Sequence, residues 1–222
     1  MLSPTAPVTE KDFVERCIPL LRARFEGSEL NVELRREVPV GRSIPDIVML
    51  MRPNQSSGGS FPAAPLSAAE SVLLACLRHF GPTRIDLLEK RAGLQRMDLR
   101  GKALHRIQAW GILERRAGGI VAHSVQWIEN PEVIAIEAKL TRWKEALEQA
   151  AWHRQYVDRS YVLLPIQHAG VAIASTPTFV ASGVGLLVAE ADRITEAVPA
   201  SQTEHHDWRR EYLASRVLAV TS

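Results

Sequence analysis

An α/β fold with a mixed central sheet, interrupted by a separately folding helical insert, is what the hydrophobic pattern of the chain predicts. Two strand-like apolar runs, "SIPDIVMLM" at 43–51 and "VIAIEAKL" at 133–140, are held apart by a segment with helical periodicity of its own. A strand–helix–strand succession follows the second run, as in α/β cores. The stretch "RPNQSSGGSFPAAP" at 52–65 has the Pro, Gly and Ser content of a linker and marks the first boundary. The predicted core is therefore residues 1–52 together with 129–222, with 53–66 as linker and 67–128 as insert.

Each element has its own local reason. "TEKDFVERCIPLLRARF" opens on Thr9 with Asp12 three residues on, a capping arrangement, and repeats Phe13, Cys17, Leu21 and Phe25 at helical spacing. "NVELRREVPVG" and "SIPDIVMLM" read as a β-hairpin around a Gly-Arg-Ser turn. Within the insert, "SAAESVLLACLRHF" begins with Ser67 and Glu70 as a capping box, "TRIDLLEKRAG" is a short second helix and "LRGKALHRIQAWGIL" a third. "LERRAGGIVAH" follows as a hairpin turning at Gly118-Gly119. Three helices and such a hairpin describe a winged helix. After the second apolar run come a helix "TRWKEALEQAAWHRQY", a strand "SYVLLP", a helix-like "TPTFVASG", a strand "VGLLVAEA" and a last helical piece "HHDWRREYLASRVL". No internal repeat is present in the 222 residues.

With 46% hydrophobic and 23% charged residues, the chain can bury one large core or two small ones. It has no run of about 18 apolar residues, and "MLSPTAPVTEKDF" lacks the basic-then-apolar layout of a signal peptide. A cytoplasmic protein that does not engage a membrane is expected. Cys17 and Cys76 each lie among helix-patterned apolar residues, which suits buried thiols rather than a disulfide or zinc framework. Net charge is only +2, yet residues 67–122 carry ten Lys or Arg against five acids, leaving the remainder at −3. A basic segment inside a mildly acidic chain is an electrostatic footprint for a polyanion. In a winged helix the third helix enters the major groove, which aims Arg96, Arg100, Lys102 and Arg106 at DNA while the wing offers Arg115 and Arg116 to phosphate.

Glu137 and Lys139 share one face of an otherwise apolar strand, because side chains alternate along a strand. Burying a charge without a partner costs several kcal/mol, so the pair needs a partner, a metal or solvent at the strand end. A Pro-Asp pair alone is a turn, and a lone Glu-x-Lys pair is a solvated couple. Their order here, each in an apolar strand and followed by a helix and a strand, is what points to chemistry. Two carboxylates from neighbouring strands, Asp46 and Glu137, with the carbonyl of Ala138, make an oxygen set for Mg²⁺, with Mn²⁺ as a substitute. His205-His206-Asp207 reads instead as a polar surface turn, and the five tryptophans as core packing.

"IPDIVML" followed by "VIAIEAKL" and "WKEALEQAAWHRQYVDRSYVLLP" resembles the PD-(D/E)XK nuclease superfamily, the restriction-endonuclease-like fold, over 9–26, 31–51 and 132–190. The resemblance implies a divalent-metal-dependent DNA endonuclease in which Asp46 and Glu137 bind metal and Lys139 orients the attacking water. It further matches Glu15 to an accessory acid and Gln149 to the first residue of a Gln-x-x-x-Tyr helix, with His153 standing where the tyrosine would be. The alternative is a catalytically silent DNA-binding or assembly subunit acting with a partner, in transposition, repair or phage defence. Whether it works as a homodimer or with another protein stays open.

Overall fold

A computed structural model describes residues 9–27, 29–40, 42–53, 64–93, 102–123, 131–203 and 207–219. The chain forms two compact units, one of residues 1–51 and 132–204, the other of residues 52–131 and 205–222.

The first unit is mixed α/β. Its opening helix α1 (Glu10–Phe25) carries the expected capping box, with the Asp12 amide donating to Thr9 Oγ1 at 3.1 Å and the Thr9 amide to Asp12 Oδ2 at 3.1 Å. Strands β1 (Leu30–Arg36) and β2 (Ile47–Pro53) are neighbours in the sheet, and Val40 and Ser43 exchange backbone hydrogen bonds of 2.8 and 3.1 Å across the turn between them. The sheet continues in the first unit as β6 (Glu132–Ala138), β7 (Arg159–Pro165), β8 (Gly185–Ala189) and β9 (Ile194–Val198), in spatial order β1-β2-β6-β7-β8-β9. Strand β2 runs antiparallel to β6, β6–β7–β8 are parallel, and β9 closes the edge antiparallel. The strands numbered in between, and helices α2–α4, belong to the second unit.

Helix α5 (Trp143–His153) makes the crossover from β6 to β7, and α6 (Ile166–Ala174) with α7 (Thr176–Ser182) the crossover to β8. Parallel strands need such crossovers and become buried on both faces, which is why β6, β7 and β8 read as continuous apolar runs. Phe13, Cys17 and Leu21 of α1 pack with Met49, Ile134, Ile136 and Leu163 on one face. Ala146 and Ala150 of α5 pack with Val162, Leu164, Phe179 and Leu186 on the other. Helix α6 and strand β9 had no distinct signal in the sequence.

In the second unit, α2 (Ala68–Phe80) is capped by Ser67 and Glu70 as expected. Strand β3 (Thr83–Arg84), helices α3 (Ile85–Ala92) and α4 (Lys102–Ala109), and strands β4 (Leu113–Arg116) and β5 (Ile120–His123) follow. The strands form an antiparallel sheet in the order β3-β5-β4, and Gly118 and Gly119 take φ of 75° and 73° in the turn between β4 and β5. Two consecutive positive φ values explain the glycine pair, since a Cβ is strained there.

One boundary differs from expectation. Helix α8 (Trp208–Leu218), which the sequence places with the core, packs on α2 in the second unit. It buries Leu213, Ala214, Val217 and Leu218, Arg78 Nε donates to Glu211 Oε1 at 2.6 Å, and the Leu66 amide donates to Ser215 Oγ at 3.1 Å. An amphipathic helix announces an apolar face but not its partner, so periodicity alone assigned it to the nearer element in sequence. Most of the predicted linker, His205 and His206 lie outside the described residues. Among those described, no helix is long and apolar enough to cross a membrane.

Candidate functional site

The register of the sheet brings the predicted acids together. Ile47 of β2 pairs with Ile136 of β6, so Asp46, one residue earlier on an antiparallel strand, comes level with Glu137. The Ala138 amide donates to Asp46 Oδ2 at 2.8 Å, which fixes that carboxylate against the end of β6. Lys139 Nζ stands 3.1 Å from Glu137 Oε1 and 3.9 Å from Asp46 Oδ2. Asp46, Glu137 and Lys139 thus form one cluster, as the motif reading requires. Its members differ in access: the Glu137 side chain is 3% exposed and that of Asp46 29%. Solvent or a ligand therefore reaches the group from the Asp46 side.

Two further residues that the motif reading did not assign complete the cluster. Glu10, in the first turn of α1, places Oε2 3.5 Å from Lys139 Nζ. His153, the last residue of α5, is buried with Nδ1 4.0 Å from Glu137 Oε2, and its Nε2 is 2.7 Å from Ser43 Oγ. Glu137 Oε2 and His153 Nδ1 have no hydrogen-bond partner among the described residues.

Other expected positions fall elsewhere. Glu15 forms an ion pair with Arg36 on an exposed face, and it is Glu10 on the same helix that lies beside Lys139. Gln149 is exposed on α5, whereas His153 one turn later is buried. Arg106 is committed within its own unit, donating to Glu70 Oε2 at 2.8 Å and to the Pro65 carbonyl at 3.0 Å, with its guanidinium 4.4 Å from the Trp110 ring centroid. Its charge, expected to face a polyanion, is thus already shared with an acid of its own unit, with the side chain 40% exposed. The buried Glu70 carboxylate claims the charge, which a helix pattern cannot foretell across 36 residues. Arg116 pairs with Glu114, while Lys102 and Arg115 are exposed; Arg96 and Arg100 lie outside the described residues.

The electrostatics follow from the packing. Burial, reinforced by the charge of Asp46, pushes the Glu137 carboxyl up to about 7. Burial also raises Asp46, partly offset by the Ala138 amide and by Lys139. Burial pulls Lys139 down, but the carboxylates of Asp46 and Glu137 outweigh it and leave the ammonium above its ordinary value. Burial lowers His153 to about 4, so the imidazole is neutral at pH 7. Among the described residues no group of three or more His, Cys, Asp or Glu side chains is arranged to hold a metal ion.

These shifts have a measurable sign. The unfolded chain ionises Glu137 near its ordinary 4.5, whereas the folded chain keeps the proton up to about 7. The folded state therefore binds more protons between those values, and stability falls as pH rises through that window. His153 acts oppositely, its contribution being full above 6.5 and lost as pH falls toward 4. In urea unfolding with chelator present, Glu137→Gln should be more stable than the wild type at pH 7.5 by roughly 2 kcal/mol and gain little at pH 4.5. An equal difference at both pH values would contradict the shift.

No protein-family model matches the chain, and no curated protein matches it. A solved structure of a protein of unknown function from Silicibacter pomeroyi is similar over 52% of this chain and 77% of that chain, at 17% identity and a TM-score of 0.31. That likeness carries no argument about fold or activity.

Proposed function

We propose that the chain is a divalent-metal-dependent DNA endonuclease with a restriction-endonuclease-like core and an inserted winged helix that contacts DNA. The observation that supports this reading is the convergence of Asp46, Glu137 and Lys139 at one strand end, with Lys139 Nζ 3.1 Å from one carboxylate and 3.9 Å from the other.

The donor set fits Mg²⁺. That ion keeps most of its waters and takes one or two protein carboxylates, with substrate phosphate supplying further oxygens. Asp46 and Glu137 are such a pair, brought to one strand end beside Lys139. When bound, the ion supplies Lewis-acid polarisation of phosphate and a lowered pKa for water. The chain's own groups do the rest. Lys139 offers a point charge to the phosphate oxygens or the attacking water, and the carboxylates keep its ammonium charged. The Ala138 amide holds Asp46 in place before substrate arrives. A catalytically silent DNA-binding subunit is the second reading, favoured by the engagement of Lys139 with three carboxylates, Glu10 included.

Purified protein incubated with plasmid, linear and single-stranded DNA should cut with Mg²⁺ or Mn²⁺ and not with chelator. DNA binding without cutting under any metal would select the silent reading. In the same samples, Lys102→Ala and Arg115→Ala should each flatten the log–log salt dependence of duplex binding by about one unit. Arg106→Ala should lower the stability of its unit, because it strips the buried Glu70 carboxylate of its ionic partner. Unchanged slopes for Lys102→Ala and Arg115→Ala would remove the second unit from the DNA interface.

A further inference from the structure

We propose that His153 is a positioning residue for Glu137, itself held by Ser43 on the turn between β1 and β2. The inference rests on the reading of Glu137 as a metal ligand only for its effect on metal, not for the contact itself.

The argument is one of hydrogen-bond accounting. A neutral imidazole has one donor nitrogen and one acceptor nitrogen, and a buried imidazole needs both satisfied. Nε2 of His153 is satisfied by Ser43 Oγ at 2.7 Å. Nδ1 faces Glu137 Oε2 at 4.0 Å across a space in which both side chains are 3% exposed, and neither atom has another partner among the described residues. Above pH 7, where the Glu137 carboxyl has given up its proton, its oxygens can only accept. The assignment that satisfies every atom is therefore Ser43 Oγ–H donating to Nε2 and Nδ1–H donating to Oε2. The present separation exceeds an N–H···O hydrogen bond by about 1 Å, so the proposed contact requires the two side chains to draw together, as hydrogen bonds in sites without substrate commonly run long. The ring of Tyr156 packs edge-on against the imidazole with centroids 6.0 Å apart, which limits other orientations.

The two oxygens of Glu137 then have separate tasks. Oε1 meets Lys139 at 3.1 Å on the side of the cluster, while Oε2 is anchored from behind by the imidazole. Ser43 and Asp46 lie on one short segment, and Ser43 is pinned by its backbone exchange with Val40. Ser43 and His153 therefore tie the segment that carries one acid to the side chain of the other. A histidine that merely fills the core needs no acid opposite it. Outer contacts of this kind orient metal-binding carboxylates, and their loss commonly weakens metal binding by about 10- to 100-fold.

Two measurements test the proposal. In ¹⁵N spectra of wild-type protein without metal at pH 9, where Glu137 is ionised, His153 should be protonated on Nδ1 and not on Nε2, and Glu137→Gln should shift the Nδ1 resonance. In Mn²⁺ titrations followed by EPR, His153→Leu should bind about 10- to 100-fold more weakly. His153→Gln, whose amide keeps a donor, should recover most of that loss, and Ser43→Ala should weaken binding by a smaller factor. Protonation on Nε2, or Mn²⁺ binding by His153→Leu as tight as wild type, would overturn the proposal. Wild-type protein that binds no Mn²⁺ would sink the metal reading of Glu137 alone, because the ¹⁵N spectra still decide the contact between His153 and Glu137.

Discussion

Under the proposed nuclease reading, Lys139→Met should lower the rate of DNA cleavage by about a hundred- to a thousand-fold while metal affinity holds or rises. Removing one preorganised charge from the reacting centre has an effect of that size. The affinity should not fall, because the Lys139 ammonium lies 3.1 Å from Glu137 and 3.9 Å from Asp46 and competes with a cation for both. Glu137→Gln and Asp46→Asn should lower cleavage by at least as much, and both should lose metal affinity, since each removes a carboxylate proposed to hold the ion. The contrast between the lysine and the acids separates chemistry from ligation: single-turnover cleavage gives the first and Mn²⁺ titration the second. Cleavage by Asp46→Asn at the wild-type rate would remove the cluster from the reaction.

Gly185→Ala should destabilise the first unit by about 2–3 kcal/mol, a large effect for one methyl group. Gly185 starts β8 beside Tyr161 of β7. A Cβ there would lie 2.3 Å from Tyr161 Cε1 and 2.8 Å from the Ala200 backbone nitrogen, distances that atoms do not tolerate. Neither neighbour can yield easily. The Tyr161 ring is fully buried and its hydroxyl donates to Glu196 Oε1 at 2.7 Å, while Ala200 is backbone. Urea unfolding should show the loss, and it should shrink in a Tyr161→Leu background, which removes the ring but leaves Ala200. A Gly185→Ala variant as stable as the wild type would mean that β7 and β8 sit farther apart than described.

What the sequence made legible, and what it hid, divide along a physical line. Strands β2 and β6 were readable because burial on both faces leaves a continuous apolar run, against which Asp46, Glu137 and Lys139 stand out as charges needing an explanation. Both capping boxes were readable because Thr9–Asp12 and Ser67–Glu70 act within one helical turn. Contacts across the fold were not. Glu10 and Glu15 are indistinguishable on a helix until strand positions are known, and only then does Glu10 face Lys139 while Glu15 faces Arg36. His153 was visible as a departure from the expected tyrosine, but its meeting with Glu137 and Ser43 depends on the crossover from β6 through α5. Arg106 looked like a free cation because Glu70, its partner, lies on another helix.

The placement of α8 carries a consequence for how the chain is made. The second unit takes one part from residues 52–131 and its closing helix from beyond residue 205, after the whole of the six-stranded unit has been synthesised. Until α8 is available, the surface of α2 that receives it stays open, and Glu211 is not there to meet Arg78. On a ribosome the domains of most chains finish in order from the N-terminus. Here the segment begun first among the two interrupted parts of the second unit must wait for the sheet to be completed, so nascent chains stalled before residue 208 should carry an unfinished helical unit that proteases cut, and chains extended past residue 218 should not.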